Sequence, residues 1–420
     1  MYLDRRKFTL RDRKRRSRPS MVAVYLVLIL GGLYVLRMKQ SGEIQPVFVP
    51  TPTATRSPIS YAKEAASHFS AGKLAKSIVA YQQAAIGDPT NADYWVALAR
   101  LQIYANQPEE ALQSAETAVL IDPENSMAHA VRALALDWLG NFDEGSRAAV
   151  RAIQLDANNA LAHAFYAEIL TDIQKYGPAG DEARLAVSLN PNSMDVYRVY
   201  GYYLENVGAY EDAIVAYQTA ATINPNLSIL YMQLGVNYRV LGDYETAIEY
   251  FLRASALDPN NIMPYRSISR TYFQTGEYGR SVQYLESALE LDPMNSDIYA
   301  FLGLVKFKSL NFEGAIVDLQ CAVEGCTHPE TGALLQGLSL DHSTLEYYYT
   351  YGSVLAAYLQ CDRALTIFAQ VSASTPHDDV VQGIIDEGIN ICATATSSDE
   401  YVIPGTDSTE EPQKLSTPDP

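Results

Sequence analysis

Histidine and tryptophan are scarce, at 6 and 2 of 420 residues. So few imidazoles leave little material for acid–base catalysis or a histidine metal site. The chain also lacks a nucleophile elbow, a Walker loop, a Gly-rich phosphate loop and a Glu-rich metal-binding helix. Acidic side chains are plentiful, but they fall on solvated helix faces and in Asp-Pro turns. Catalysis by this chain alone is therefore not expected, and no cofactor or metal is. Positive charge is missing from most of the chain. Residues 1–40 hold 11 Lys and Arg against 2 Asp and Glu, a charge of +9, while the remainder holds 20 against 47, a charge of −27. A body this acidic repels phosphate backbones, so no nucleic-acid partner is expected.

The one long uncharged apolar run is Met21 to Leu36, behind nine Lys and Arg that include Arg13-Lys14-Arg15-Arg16. Sixteen helical residues span about 24 Å, a little short of a hydrocarbon core. Arg18 and Arg37 flank the run and can snorkel to headgroups. Arg37-Met38-Lys39-Gln40 offers no small-residue cleavage site, so the run reads as a transmembrane anchor (21–36) and not as a cleaved signal peptide. The basic leader, 1–20, then stays in the cytoplasm, and everything after Leu36 lies outside a cytoplasmic membrane crossed once. Residues 37–57, with Pro46, Pro50 and Pro52 among threonines, read as an extended linker.

Three columns recur with a 34-residue period. Alanine occupies 84, 118, 152, 186, 220, 254, 288 and 322; proline occupies 89, 123, 191, 225, 259 and 293, with Ala157 filling the gap; and small residues occupy 65, 99, 133, 167, 201, 235, 269 and 303. Each period contains two helical runs around a turn. In 228–261 these carry Tyr231, Leu234, Gly235 and Tyr238, then Gly242-Asp243, then Ala247, Ile248, Phe251 and Ala254, before Pro259 ends the helix. A hairpin of this kind cannot bury both faces alone, so stacking must supply the core.

These residues resemble the tetratricopeptide repeat family. Unit 92–125 shows Trp95, Leu98, Ala99, Ala111, Ala118 and Pro123, and unit 194–227 shows Tyr197, Tyr200, Gly201, Gly208, Ala213, Tyr217, Ala220 and Pro225. The resemblance implies an all-α, right-handed superhelical solenoid: units 1–8 at 58–327, an insertion at 328–344, unit 9 at 345–376 and a capping helix at 377–392. The acidic Ser/Thr/Pro-rich segment 393–420 is expected to be disordered. Gly145, Ser281 and Tyr176-Gly177-Pro178 depart from the pattern, and slightly distorted hairpins are expected there. His129 and His163 share the repeat position of Tyr197 and Tyr231 and read as packing residues.

All four cysteines, Cys321, Cys326, Cys361 and Cys392, fall in the C-terminal third. On the outer side of a membrane they can form disulfides; the alternative is four buried thiols. Cys361 with Cys392 is the favoured pair, because a capping helix antiparallel to the last second helix brings Cys392 back to Cys361. Cys321 and Cys326 would then bridge at the start of the insertion. A metal site from these two and His328 has too few ligands.

In the family, the first helix of each unit lines a concave groove. Carried onto this chain, the groove positions include Arg198, Tyr202, Arg239, Arg266, Arg270, Phe273, Phe307 and Lys308. Arginine beside aromatics, in an otherwise acidic body, is the composition of a protein-binding hot spot. The expected function is a membrane-tethered scaffold that holds a protein or peptide, with an acidic segment, on the extracytoplasmic side. The alternative is an accessory subunit of a cell-envelope biosynthesis or export complex.

Overall fold

The computed structural model describes residues 19–40, 56–328 and 331–395. Most of the basic leader, residues 41–55 of the linker and nearly all of the C-terminal tail lie outside the described residues. The chain divides into two compact units, 1–56 and 57–420. The first holds helix α1 (Pro19–Gln40), with proline at its first position and every described side chain exposed. Among the described residues no helix is long and apolar enough to cross a membrane; for α1 those side chains are 21–34 and 37.

The second unit is a stack of antiparallel helical hairpins. Its first helices are α2 (Pro58–Ser70), α4 (Ala92–Tyr104), α6 (Ser126–Trp138), α8 (Ala160–Asp172), α10 (Met194–Asn206), α12 (Ser228–Val240), α14 (Ile262–Gln274) and α16 (Ser296–Lys308). Their partners are α3 (Leu74–Gly87), α5 (Pro108–Ile121), α7 (Phe142–Leu155), α9 (Tyr176–Leu189), α11 (Tyr210–Ile223), α13 (Tyr244–Leu257), α15 (Tyr278–Leu291) and α17 (Phe312–Val323). A ninth hairpin, α18 (Leu345–Ala357) and α19 (Cys361–Ser374), is followed by α20 (Asp379–Ala395). Between hairpins eight and nine, β1 (Cys326–Thr327), just before the expected insertion, pairs antiparallel with β2 (Leu334–Leu335) inside it.

Four local devices recur along the hairpins. An asparagine or serine caps the first helix: Asn91, Asn125, Asn159, Ser193, Asn261 and Asn295 each accept a hydrogen bond from a backbone N–H in the first turn. A residue with positive φ makes the turn, at 72, 106, 140, 174, 208, 242, 276 and 310, all on the 34-residue grid. Small residues let the paired helices meet. The eight alanines from Ala84 to Ala322 are all at 0% exposure, so even one added methylene has nowhere to go. At Gly235 a Cβ would lie 2.5 Å from the Phe251 ring. The fourth device is a polar-tipped ring that satisfies the preceding turn. Tyr231 Oη donates to the Pro225 carbonyl at 2.8 Å, and His129 and His163 Nε2 meet the carbonyls of Pro123 and Ala157 at 3.0 Å.

The expected distortions do not occur. Helices α8 and α9 keep the standard lengths because Gln174, with φ 60°, takes the turn that glycine makes elsewhere. Ser281 replaces alanine and hydrogen-bonds Ser269 at 2.8 Å inside its hairpin. The cysteines stand in two pairs at disulfide distance, with Cα–Cα of 4.7 Å for Cys321 and Cys326 and 5.6 Å for Cys361 and Cys392.

Two substitutions test these devices by thermal unfolding. Gly235→Val should destabilise the array by about 1–3 kcal/mol through overpacking against Phe251. Leu310→Gly should be neutral or stabilising by up to about 1 kcal/mol, since Leu310 is exposed with φ 63°. The reverse ranking would contradict this account of the hairpin.

Candidate functional site

The spacing of the first helices divides the concave face. Helices α4, α6, α8 and α10 pack directly on one another, whereas α12 and α14 barely touch. Side-chain size explains the difference. The tight helices meet through fully buried alanines such as Ala130, Ala162 and Ala164. Helices α12 and α14 instead present Met232, Tyr238, Arg239, Arg266, Arg270 and Phe273.

Tight curvature brings the first hairpin back onto the loop between α11 and α12. Phe69 and Leu74 share a buried cluster with Tyr104, Met194, Leu227 and Leu230. Asn226 Nδ2 donates to the Ser70 carbonyl at 2.8 Å, and a Cβ on Gly72 would lie 2.1 Å from the Asn226 carbonyl oxygen. Leu227 stands where other hairpins have a capping Asn or Ser; it gives up the cap and is buried in this contact. The concave face of hairpins two to five is thereby closed.

Arg198 lies inside this closed coil, and here the sequence expectation is corrected. It is 1% exposed, its guanidinium is held by both carboxylate oxygens of Glu168, and it stacks over Tyr104 at 5.9 Å. Tyr104 donates to Asp195, which also pairs with Arg100 at 3.7 Å. Tyr202 is likewise committed, donating to Asp172. Arg198 is not free to meet a partner, because the approach of α8 and α10 buries it; Tyr202 is half-buried. Asp137, 4% exposed, faces Glu168 and Asp172 in the same network. Burial, and then the charges of Glu168 and Asp172, push its carboxyl up to about 10, so at neutral pH it holds its proton.

Beyond α10 the face is open. A cavity of about 420 Å³ is lined by Arg239, Val240, Arg270, Phe273, Gln274, Phe301, Leu304, Glu346 and Tyr347, drawn from α12, α14, α16 and α18. Arg239 lies over the Phe251 ring at 5.7 Å and Arg270 over Phe301 at 5.6 Å. Among the described residues, none of the ion pairs involves Arg239, Arg266 or Arg270. Burial and the charge of Arg270 push the Arg239 guanidinium below its usual range, a sign of like charges held together in a half-buried place.

The structure therefore brings Arg239, Arg270 and Phe273 together, with Arg266 near Tyr347. It separates the others. Phe307 packs into the core against Phe312, at 5.8 Å between ring centres. Lys308 lines a larger depression of about 630 Å³ between the turns of hairpins seven and eight. That depression is walled mainly by turn residues, and its Arg280 is already paired with Glu277 at 2.9 Å, so it offers less to a ligand than the groove. The sequence reading missed Phe301, Leu304, Glu346 and Tyr347. Leu304 occupies the same repeat position as Arg270, 34 residues on, and was within reach of the column argument. Among the described residues no cluster of His, Cys, Asp or Glu is arranged to hold a metal ion.

Residues 68–135 and 226–294 each match a model of the tetratricopeptide repeat. Repeats of this kind generally serve as protein–protein scaffolds rather than catalysts. No curated protein matches the chain. Among solved structures, the Cut9–Hcn1 hetero-tetramer of the APC/C is similar with TM-score 0.58 at 17% identity, over 77% of this chain and 60% of that one. Human IFIT1, solved as a dimer with PPP-AAAA, is similar with TM-score 0.54 at 16% identity, over 81% and 82%. The pilF protein of Pseudomonas aeruginosa matches at 21% identity over 47% and 90%, with TM-score 0.41. At these identities the first two likenesses show the fold alone.

Asp137 makes the closed coil sensitive to pH. Its folded value is raised from 3.8 to about 10. The stability it contributes is complete below about pH 4 and is lost as pH rises through the folded value. Melting temperatures should therefore fall between about pH 5 and about pH 9. Asp137→Asn, which imitates the neutral acid, should flatten that slope. An equal slope in the parent and the variant would contradict a protonated Asp137.

Proposed function

We propose that this chain is a scaffold that holds a protein partner by an acidic segment in the open groove of hairpins six to nine. The observation that carries this reading is the pair Arg239 and Arg270: two guanidinium groups that make no ion pair among the described residues, each over an aromatic ring, at a cavity whose lining also holds Phe273, Phe301, Leu304 and Tyr347. A carboxylate there would relieve their mutual repulsion and accept bidentate hydrogen bonds. Phe273, Phe301, Leu304 and Tyr347 would take a neighbouring apolar side chain. The closed coil would serve as a rigid mount, since its own concave face is occupied.

We further infer that α1 anchors the scaffold in a membrane with the repeats outside. The basic leader, the uncharged run from Met21 to Leu36 and the missing cleavage site support this. The cysteine pairs fit an oxidising compartment.

Two experiments test the proposal. Affinity for a synthetic Asp/Glu-rich peptide carrying one aromatic residue is measured against salt. Arg239→Ala with Arg270→Ala should weaken it about 10- to 100-fold and reduce its salt dependence, with circular dichroism unchanged. An unchanged affinity would move the site off this face. For the anchor, protein extracted from cells without reductant should show all four thiols blocked and its repeats open to protease added outside. Free thiols and protected repeats would place the array in the cytoplasm.

A further inference from the structure

The groove is not uniformly basic. Its lining changes character from helix to helix: Arg239 on α12 and Arg270 on α14, then Phe273, Phe301 and Leu304 on α14 and α16, then Glu346 on α18. Arg270 leans toward α16, its guanidinium carbon 5.6 Å from the centre of the Phe301 ring. Tyr347, beside Glu346, lies where the two signs meet. Burial is the largest influence on its hydroxyl and raises it; Arg270 and Arg266 lower it, while Glu346 and Asp297 raise it further. Charges of both signs therefore act on one side chain in the cavity wall. Among the described residues, none of the ion pairs involves Glu346 or Asp297, and both are exposed.

We propose that Glu346 is the specificity-determining residue of this groove: it excludes a further carboxylate beyond the partner's apolar side chain and accepts a Lys or Arg there. The inference rests on the groove reading above and narrows the partner to a segment whose charge changes sign across an apolar residue. An all-acidic segment gains at the arginines and loses at Glu346; discrimination of this kind needs such a repulsive element as well as an attractive one. Spacing follows from the helices. Helices α16 and α18 are in contact, so from the Phe301 ring to α18 is one interaxial step, about 10 Å. About three extended residues cover that distance. The partner's base therefore stands about three residues from the carboxylate held by Arg270, with the apolar side chain between them. Glu346 also lies in the first turn of α18, where a carboxylate suits the helix dipole. Glutamine keeps the shape and loses the charge, and that dipole role gives no reason to favour one peptide over another.

The test uses the full chain in detergent micelles and two fluorescein-labelled probes, Gly-Asp-Glu-Phe-Leu-Lys-Gly and Gly-Asp-Glu-Phe-Leu-Glu-Gly, each also made in the reverse chain direction. Affinities are measured by anisotropy for the parent, Glu346→Gln, Glu346→Lys and the double variant Arg239→Ala with Arg270→Ala. In at least one chain direction the parent should prefer the lysine probe by about three- to tenfold. Glu346→Gln should remove that preference and Glu346→Lys should invert it, while loss of the arginines should weaken both probes. Equal binding of the two probes by the parent, or a preference that both Glu346 variants leave unchanged, overturns the role of Glu346; weakening on loss of the arginines would still leave the groove standing. Failure of the parent to bind either probe, or binding indifferent to loss of the arginines, overturns the groove reading itself.

Discussion

How closely two successive first helices can approach depends on the side chains between them, and this contact shapes the array. With Ala130, Ala162 and Ala164 at the contact, the backbones come together and the superhelix curls tightly. After about four repeats it meets itself, and Phe69, Leu74 and Leu227 bury one another across that meeting. With arginine and tyrosine between α12 and α14 the helices stand apart, and a groove remains. One repeat period thus yields a closed coil and an open half in the same solenoid.

The closed coil buries a network of charges around Arg198. Arg198 and Glu168 are buried as a pair, and Asp137 beside them stays neutral because it is buried and faces the charges of Glu168 and Asp172. Such a network is costly to break, since removing one partner strands the other in a dry interior. In the open half Arg239 and Arg270 lie near each other over aromatic rings and make no ion pair among the described residues. The same residue type therefore acts as a structural tie in one half and as a potential ligand contact in the other.

The repeat was legible in the sequence because every hairpin must solve the same local problem. A small residue at Gly235 and alanines from Ala84 to Ala322 are demanded by helix contact, and each demand recurs with the period. The pairing of Cys361 with Cys392 was legible too, because a capping helix has only one direction to run. The fate of Arg198 was not legible. Whether its position faces a groove or a neighbouring helix depends on curvature summed over several hairpins, which no single period records. Leu227 was the available clue, an apolar residue in a column of capping asparagines and serines. Tyr347 and Glu346 were hidden for another reason: the turn-to-turn step from Leu310 to Leu359 departs from 34, so the register of α18 against the groove could not be carried forward.

The central claim is that binding belongs to the open half and is excluded from the closed coil. Backbone hydrogen exchange with and without a saturating acidic-aromatic peptide tests it most directly. The account predicts new protection in α12, α14, α16 and α18, with α4, α6, α8 and α10 already protected and unchanged. Protection gained on the concave side of α4 to α10, with none around Arg239 and Arg270, would contradict it.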